Sequence, residues 1–186
     1  MEPVRSFIAV DPGEKFHEDI KELEQQLYGK VSGIRWVEPN NVHLTLKFLG
    51  TIPSDLIEKL VANLKGAVEG LPHFELRLAG AGVFPDLRRP RVFWIGASSD
   101  GNSLQELEAK VSGVVSSLGI PTDDKPFRAH LTIGRFKDRA SGTELKGILE
   151  NTGFDFGRVL VDRIFLFRST LTPKGPVYSV LSEIRL

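Results

Sequence analysis

The sequence predicts an α+β fold in which two related halves of one chain face each other across a pseudo-two-fold axis. Three observations carry this expectation. Short apolar strands and amphipathic helices follow one another as strand, helix, strand, helix, strand, and the series occurs twice. The two copies keep their spacing, since Arg5 to His43 covers 38 positions and Arg91 to His130 covers 39. Each copy also holds the string His-Leu-Thr, with a capped helix starting eleven or twelve residues after the histidine.

The elements are justified in chain order. Arg5 to Val10 (RSFIAV) is a short apolar strand, and Asp11-Pro12-Gly13-Glu14 reads as an N-cap, a proline at the first helical position and an acid three residues after the cap. Phe16, Ile20, Leu23 and Leu27 then recur at helical spacing. Arg35 to Val37 and His43 to Leu49 read as strands, with Leu44, Leu46 and Phe48 on an apolar face and His43, Thr45 and Lys47 on a polar one. Leu56, Ile57, Leu60, Val61 and Leu64 mark a second helix after Pro53 and Ser54, and Phe74 to Leu78 a strand ending in the Gly-rich stretch Ala79 to Gly82.

The second copy follows the same order. Arg91 to Ala97 (RVFWIGA) is a strand. Asn102 with Gln105 predicts a capping box for a helix carrying Leu104, Leu107, Val111, Val114 and Leu118, stopped by Gly119. His130 to Phe136 (HLTIGRF) is a strand, and Ser141 with Glu144 caps a short helix over Leu145, Ile148 and Leu149. Phe154 to Leu186 reads as three strands, broken near Asp162 and at Pro173-Lys174-Gly175-Pro176. The chain is thus expected to be a single domain, residues 1–186, with repeat units at approximately 4–84 and 90–161 and strands over 163–186 completing the fold.

Composition narrows the chemistry. With 24 Lys+Arg against 24 Asp+Glu, no global charge drives the chain onto duplex DNA or an anionic membrane, so any polyanion must meet a local patch. The absence of cysteine removes disulfides, thiolate metal sites and cysteine nucleophiles together, and fits a reducing compartment. No apolar run is long enough for a membrane span, and the first residues lack a signal-peptide pattern, so a cytoplasmic protein is expected.

Residues two apart in a strand share a face, so His43 with Thr45, and His130 with Thr132, can converge from the two halves. Imidazole titrates near neutrality. Of two imidazoles flanking a reacting group, one can serve as neutral base while the other is the cationic acid. Threonine hydroxyls and imidazolium N–H groups suit the non-bridging oxygens of a phosphodiester. Metal binding is the chemical rival, but threonine is a poor ligand, and the reading calls for no metal and no cofactor. His17, within the first helix, and His73, in a connection, are expected to be solvated or capping residues.

HLTLKFLG at His43 to Gly50 and FRAHLTIGR at Phe127 to Arg135 resemble the paired HxTx motifs of the 2H phosphoesterases. RSFIAV, RWVEPNNVHLTLKFLG, GVFPDLRRPRVFWIG and GPVYSVL are similar to the 2′-5′ RNA ligase, or RNA 2′,3′-cyclic phosphodiesterase, branch, and the likeness spans essentially the whole chain. The resemblance implies a bilobal α+β fold, antiparallel sheets lining a central cleft and helices outside. It also implies hydrolysis of RNA 2′,3′-cyclic phosphate ends to 2′-phosphate, with reversible 2′-5′ ligation in some members. By the same likeness His43 is the proton donor to the departing 3′ oxygen and His130 the acceptor that activates water; the residues alone do not choose between these roles. Ala129 departs from a proline that many members carry before the second motif.

For the substrate, zero net charge favours recognition of one terminal nucleotide and a few flanking phosphates on RNA, tRNA halves among the candidates, by a monomer. Arg88, Arg89 and Arg91, and Arg135, Lys137 and Arg139, are local cations for that purpose. Strict alternation from His130 puts Arg135 on the wrong face unless Gly134 marks a bulge. Lys47 shares the face of His43 and is a second phosphate candidate, while Phe7 and Trp94 are strand aromatics able to stack a base. Two other readings stand beside this one: a phosphoesterase for a small cyclic phosphate such as an ADP-ribose derivative, and a non-catalytic RNA-binding module.

Overall fold

The computed structural model describes residues 2–121, 125–137, 142–173 and 175–186, the side chains at 142 and 143 excepted. Arg139, Ser141 and Lys174 therefore lie outside the described residues. Within them the chain forms strands β1 (Pro3–Val10), β2 (Ile34–Trp36), β3 (Leu44–Pro53), β4 (Phe74–Phe84), β5 (Val92–Ser99), β6 (His130–Phe136), β7 (Asp155–Val161), β8 (Arg163–Thr172) and β9 (Gly175–Arg185). The helices are α1 (Glu14–Leu27), α2 (Leu56–Val68), α3 (Ser103–Ser117) and α4 (Gly142–Asn151), with a 3-10 turn at Pro39–Asn41.

Every expected helix and strand is present, though two helix starts differ. α1 begins later than a cap at Asp11 requires. Gly13 takes the N-cap position at φ +87°, a conformation that costs a residue without Cβ nothing, and the Asp11 carboxylate instead accepts the Gly13 N–H at 2.8 Å. At α3 the Asn102 side chain makes no capping bond. Ser99 Oγ, from the end of β5, accepts the Leu104 N–H at 3.1 Å in its place.

The described strands form one antiparallel sheet in the order β7-β4-β5-β6-β3-β1-β8-β9, with β2 added to β6. β4 crosses to pair with β5 and β7, and the β8–β9 hairpin returns to β1. At the centre β3 and β6, the two His-Leu-Thr strands, meet at one pair, Leu44 opposite Leu131. A few residues further along, β2 replaces β3 on that edge of β6 through Trp36–Gly134, Arg35–Arg135 and Ile34–Phe136. Joined at a single pair, the two four-stranded halves are free to splay, and the sheet curls around a cleft.

The helices cover one face. Phe16 and Ile20 of α1, Leu60 and Leu64 of α2, Leu104, Leu107 and Val111 of α3 and Leu145 of α4 share one apolar core with Ile8, Leu44, Leu46, Leu78, Ile95, Leu131, Ile133 and Leu166 of the strands. The opposite face is left to line the cleft.

The Gly-rich stretch does not end a strand. β4 runs through it to Phe84 because Gly82 lies beneath the Trp94 indole, where any Cβ would overlap the ring. A residue with a side chain must push the indole off β4. Gly82→Val is therefore expected to destabilise the fold by about 1–3 kcal/mol, the usual cost of overpacking. Urea unfolding would show this as a lowered midpoint at unchanged m; an unchanged midpoint would mean that Trp94 has room to move.

Candidate active site

The two histidines are held in the same way. His43 Nδ1 lies 2.7 Å from the Asn41 carbonyl oxygen, and His130 Nδ1 lies 2.6 Å from that of Arg128, in each case two residues back. A carbonyl oxygen only accepts, so each Nδ1 carries the proton and each Nε2 is left as the working nitrogen. The Leu44–Leu131 pair sits between them with both leucines fully buried. In an antiparallel ladder its flanking positions oppose each other, which sets His43 against Thr132 and Thr45 against His130 on the cleft face. Both threonines are half-buried, with the core residues Leu46 and Ile133 pointing the other way.

Directly beyond the threonine each strand carries a bulge, and these two correspond; β3 carries a further one at Leu49, where the register passes from Phe7–Phe48 to Ser6–Gly50. In β6 the register passes from Trp94–Thr132 to Phe93–Gly134, so Ile133 is the extra residue. Gly134 then joins Ile133 on the core side, and Arg135, opposite Val92, is turned onto the face of His130 and Thr132. The conditional expectation for Arg135 is met by a bulge one residue earlier than Gly134. In β3 the register passes from Ala9–Thr45 to Ile8–Lys47, so Leu46 is the extra residue. Here the expectation fails. Lys47 falls opposite the core residue Ile8, on the helix-bearing face, and Phe48 falls opposite Phe7 on the cleft face. Lys47 is thus no neighbour of the histidines, and Phe48, expected in the core, is 64% exposed.

The surroundings of the two imidazoles differ. His43 stacks on Phe7 with ring centroids 4.6 Å apart, meets the edge of Tyr178 at 5.4 Å and lies 6.3 Å from Phe167. Phe7 cannot stack a base as well. Phe167, at 5.2 Å and 21°, stacks on it too, Tyr178 closes its edge at 4.9 Å, and only 3% of the residue is exposed. His130 is less enclosed. Phe84 meets it edge-on at 5.0 Å, with the Arg128 guanidinium 5.7 Å above the Phe84 ring and Trp94 5.2 Å to its side.

Burial pushes the His43 imidazole below its ordinary value of 6.5. The Asn41 carbonyl and the Asp11 charge oppose the shift, and Arg135 and His130 add to it. Since Arg135 and His130 both act on His43, the three groups share one electrostatic site across the join. Arg135 and Arg5 also act on Tyr178, whose phenol burial otherwise raises. Arg35, opposite Arg135 in the β2–β6 ladder, reaches the start of β9, where a Cβ on Gly175 would stand 2.9 Å from its Nη2.

The remaining candidates are placed as follows. Arg88 and Arg89 are on the β4–β5 loop, which Asp86 folds by accepting their backbone N–H groups at 2.7 and 3.1 Å. That loop leaves β4 directly after Phe84, which touches His130, so it borders the cleft. His17 is not solvated: its Nε2 donates to the Val42 carbonyl at 3.1 Å, tying α1 to the residue before His43. His73 is exposed, as expected. Among the described residues no cluster of three His, Asp or Glu side chains is arranged to hold a metal. A separate groove of about 860 Å³ lies between α1 and the 3-10 turn, lined by Glu14, His17, Glu24, Tyr28 and Trp36. Neither motif histidine lines it, and the convergent polar groups are those of the open cleft.

Comparison with known proteins places this geometry. The family model described as LigT like phosphoesterase matches residues 10–94 and again residues 95–178. RNA 2′,3′-cyclic phosphodiesterase of Aquifex aeolicus is 37% identical, covering 100% of this chain and 99% of that protein, and the Thermotoga maritima protein of the same name is 36% identical over 97% and 94%. Among solved structures, a Thermus thermophilus protein superposes with a TM-score of 0.82 at 31% identity, covering 98% of this chain and 97% of that one. Escherichia coli LigT complexed with 3′-AMP gives 0.80 at 25% identity, over 100% and 99%.

The His43 environment makes a measurable statement. Followed by imidazole NMR, His43 should titrate below pH 6.5, since its neutral form is the one that burial favours. Inorganic phosphate seated against Nε2 should move that midpoint up, because an adjacent anion favours imidazolium. A midpoint above 6.5 without added anion would contradict the enclosed geometry.

Proposed function

The chain belongs to the LigT like phosphoesterase family, and on that premise we propose that it is a metal-independent RNA 2′,3′-cyclic phosphodiesterase that hydrolyses 2′,3′-cyclic phosphate ends to 2′-phosphate. One observation carries the reading: two imidazoles, each with Nδ1–H committed to a carbonyl, present Nε2 from either side of the Leu44–Leu131 join. No helix among the described residues is long and apolar enough to cross a membrane.

In the proposed step, neutral His130 takes a proton from water through Nε2 as the water oxygen bonds to phosphorus. The P–O3′ bond breaks, and imidazolium His43 gives its Nε2 proton to the departing 3′ oxygen, leaving a 2′-phosphomonoester and a 3′ hydroxyl. Thr45 and Thr132 donate to the non-bridging oxygens, where charge grows, and Arg135, brought to the cleft by its bulge, neutralises it. The donor and acceptor roles follow the family likeness. Desolvation works against His43 as the cation in the free enzyme, and the bound phosphodiester supplies the negative charge that restores it. Run in the same direction with an RNA 5′ hydroxyl in place of water, the same two proton transfers describe 2′-5′ joining, and their reverse describes cleavage of that linkage.

Replacing either histidine by alanine should lower turnover by at least about a hundredfold with the fold intact, each proton transfer being worth that much or more. The assay is release of a 2′-phosphomonoester from a cyclic-ended oligonucleotide in excess chelator. Near-native turnover in either variant would reject the assignment, turnover of only a small cyclic phosphate would favour that substrate instead, and retained RNA binding with no turnover would leave a binding module.

The pH dependence follows from the two roles. kcat/KM should be bell-shaped, because one imidazole must be charged and the other neutral, and the limb that reports His43 should move to higher pH in kcat because the bound anion favours its imidazolium. A single sigmoid would leave one titrating group.

For Arg88 and Arg89, replacement of both by alanine should weaken RNA binding and reduce its salt slope by about one to two units, if each neutralises a phosphate. An unchanged slope would remove the β4–β5 loop from the site.

A further inference from the structure

The carbonyl that precedes each motif histidine is held differently in the two halves. In the strand registers, Val10–Leu44 of the first half corresponds to Ile95–Leu131 of the second. Two residues beyond the second pair, Ala97 donates its backbone N–H to the Ala129 carbonyl at 3.3 Å, so the residue before His130 is held by the neighbouring strand. The position that matches Ala97 in the first half is Pro12, which has no N–H to give. A side chain makes up the loss: His17 of α1 donates Nε2–H to the Val42 carbonyl at 3.1 Å. We infer that His17 is a positioning residue for His43, holding through the Val42 carbonyl the peptide that sets the motif imidazole in the cleft. This rests on the proposed role of His43 as proton donor and adds to it a residue from outside both motifs.

The Val42 carbonyl needs a protein donor. Val42 is buried, and a buried acceptor left without a partner costs more than a made hydrogen bond returns. Its C=O and the His43 N–H belong to one planar peptide, so the group that fixes the carbonyl also fixes the direction in which the chain enters His43. The preceding groups are tied locally. Asn41 N–H donates to the Glu38 carbonyl at 2.7 Å, Val42 N–H donates to the Pro39 carbonyl at 3.0 Å, and the Asn41 carbonyl takes the Nδ1–H of His43 at 2.7 Å. All four backbone polar groups of Asn41 and Val42 are thereby engaged, three by neighbours in sequence and the fourth by α1. Released from His17, the Val42–His43 peptide is free to turn, and the bond that commits the Nδ1 proton turns with it.

His17 is itself well placed for this. Its side chain is 11% exposed, and Asp11 Oδ1, which accepts the Gly13 N–H at 2.8 Å, lies 3.5 Å from the same Nε2. Both oxygens face one nitrogen, so the proton of a neutral His17 belongs on Nε2, the opposite choice from His43 and His130. Asp11 is the residue after Val10, as His43 is the residue before Leu44, so the two are neighbours across the end of the β1–β3 ladder, and the Asp11 charge favours imidazolium at His43. The late start of α1 thus leaves Asp11 with Gly13 and His17 for partners, close to the donor histidine, rather than on a helix cap.

Imidazole nitrogen NMR and kinetics together test the assignment. In the wild-type protein neutral His17 should be the Nε2–H tautomer and His43 and His130 the Nδ1–H tautomer; a neutral His17 with its proton on Nδ1 would overturn the inference without any variant. His17→Leu keeps the bulk and removes the donor. It should lower the Nδ1–H share of His43 and leave that of His130 unchanged, since Ala97 still holds the carbonyl before His130. On a cyclic-ended oligonucleotide it should lower kcat by roughly ten- to a hundredfold with KM little changed, as expected for a displaced proton donor. His17→Gln, whose amide N–H can reach the Val42 carbonyl, should restore both the tautomer and kcat. Unchanged His43 in His17→Leu, an equal change at His43 and His130, or no rescue by glutamine would overturn the positioning role. Should His17→Leu fail to fold, His17→Gln decides: near-native kcat with the His43 tautomer kept supports the role, and loss of either overturns it. Absence of turnover by the wild-type protein would instead overturn the phosphodiesterase reading, while the tautomers would still report whether His17 sets His43.

Discussion

The geometry of the cleft depends on Leu44 and Leu131, the one pair through which the two halves of the sheet are joined, and on the burial that holds it. Two fully buried leucines anchor the strands from the core side, so their neighbours along the chain have no choice of face. His43 and Thr45 flank one leucine, His130 and Thr132 the other. Had the strands paired over their whole length, the ladder would have run flat through the centre and left no room for a phosphate between the imidazoles. The handover of the β6 edge from β3 to β2 prevents that. Fold and chemistry thus meet in a single register.

A shared frame does not make the two histidines equivalent. Both hand Nδ1–H to a carbonyl two residues back, and the difference lies in what surrounds each ring. Phe7, Tyr178 and Phe167 enclose His43, removing water that would solvate an imidazolium, whereas His130 has one edge-on contact with Phe84. Two imidazoles in identical settings would titrate together, and acid–base catalysis needs them in opposite states. The aromatic enclosure favours neutral His43, against its donor role, so the bound anion is what restores its proton. Arg135 reaches the same space, and its charge further disfavours a proton on His43 until an anion lies between them.

The strands, the helices and the two His-Leu-Thr units are legible in the sequence because each rests on a local period. Burial of Phe16, Ile20 and Leu23, or of Leu44 and Leu46, follows directly from spacing. Lys47 and Phe48 defeat the same rule: period-two alternation makes no allowance for an extra residue, and a bulge at Leu46 inverts the assignments after it until a second bulge, at Leu49, restores them. Gly134 hints at the corresponding bulge in β6; nothing in Leu46-Lys47 hints at its own. The signal lies in comparing the copies, since Phe48 stands where Arg135 does. Phe7 illustrates another limit, because its stacking partners Phe167 and Tyr178 come from the far end of the chain. Cap donors such as Ser99 are likewise set by tertiary placement.

The matched bulges bear on the proposed division into two repeats. Similar strands and helices can recur in one chain because they are stable local solutions, and a His-Leu-Thr string is short. A bulge is less easily repeated by chance. It leaves a residue unpaired and bends the strand, and here it occurs at the third residue after each histidine, opposite the strand that begins each copy. Duplication of one unit would account for this, and the family model matches the chain twice in succession. On that view the duplicated backbone supplies two outlets onto the cleft at equal distances from the centre, and the side chains there have since diverged. A guanidinium stands at one outlet and a phenyl ring at the other, so a two-fold frame presents two different groups to the cleft.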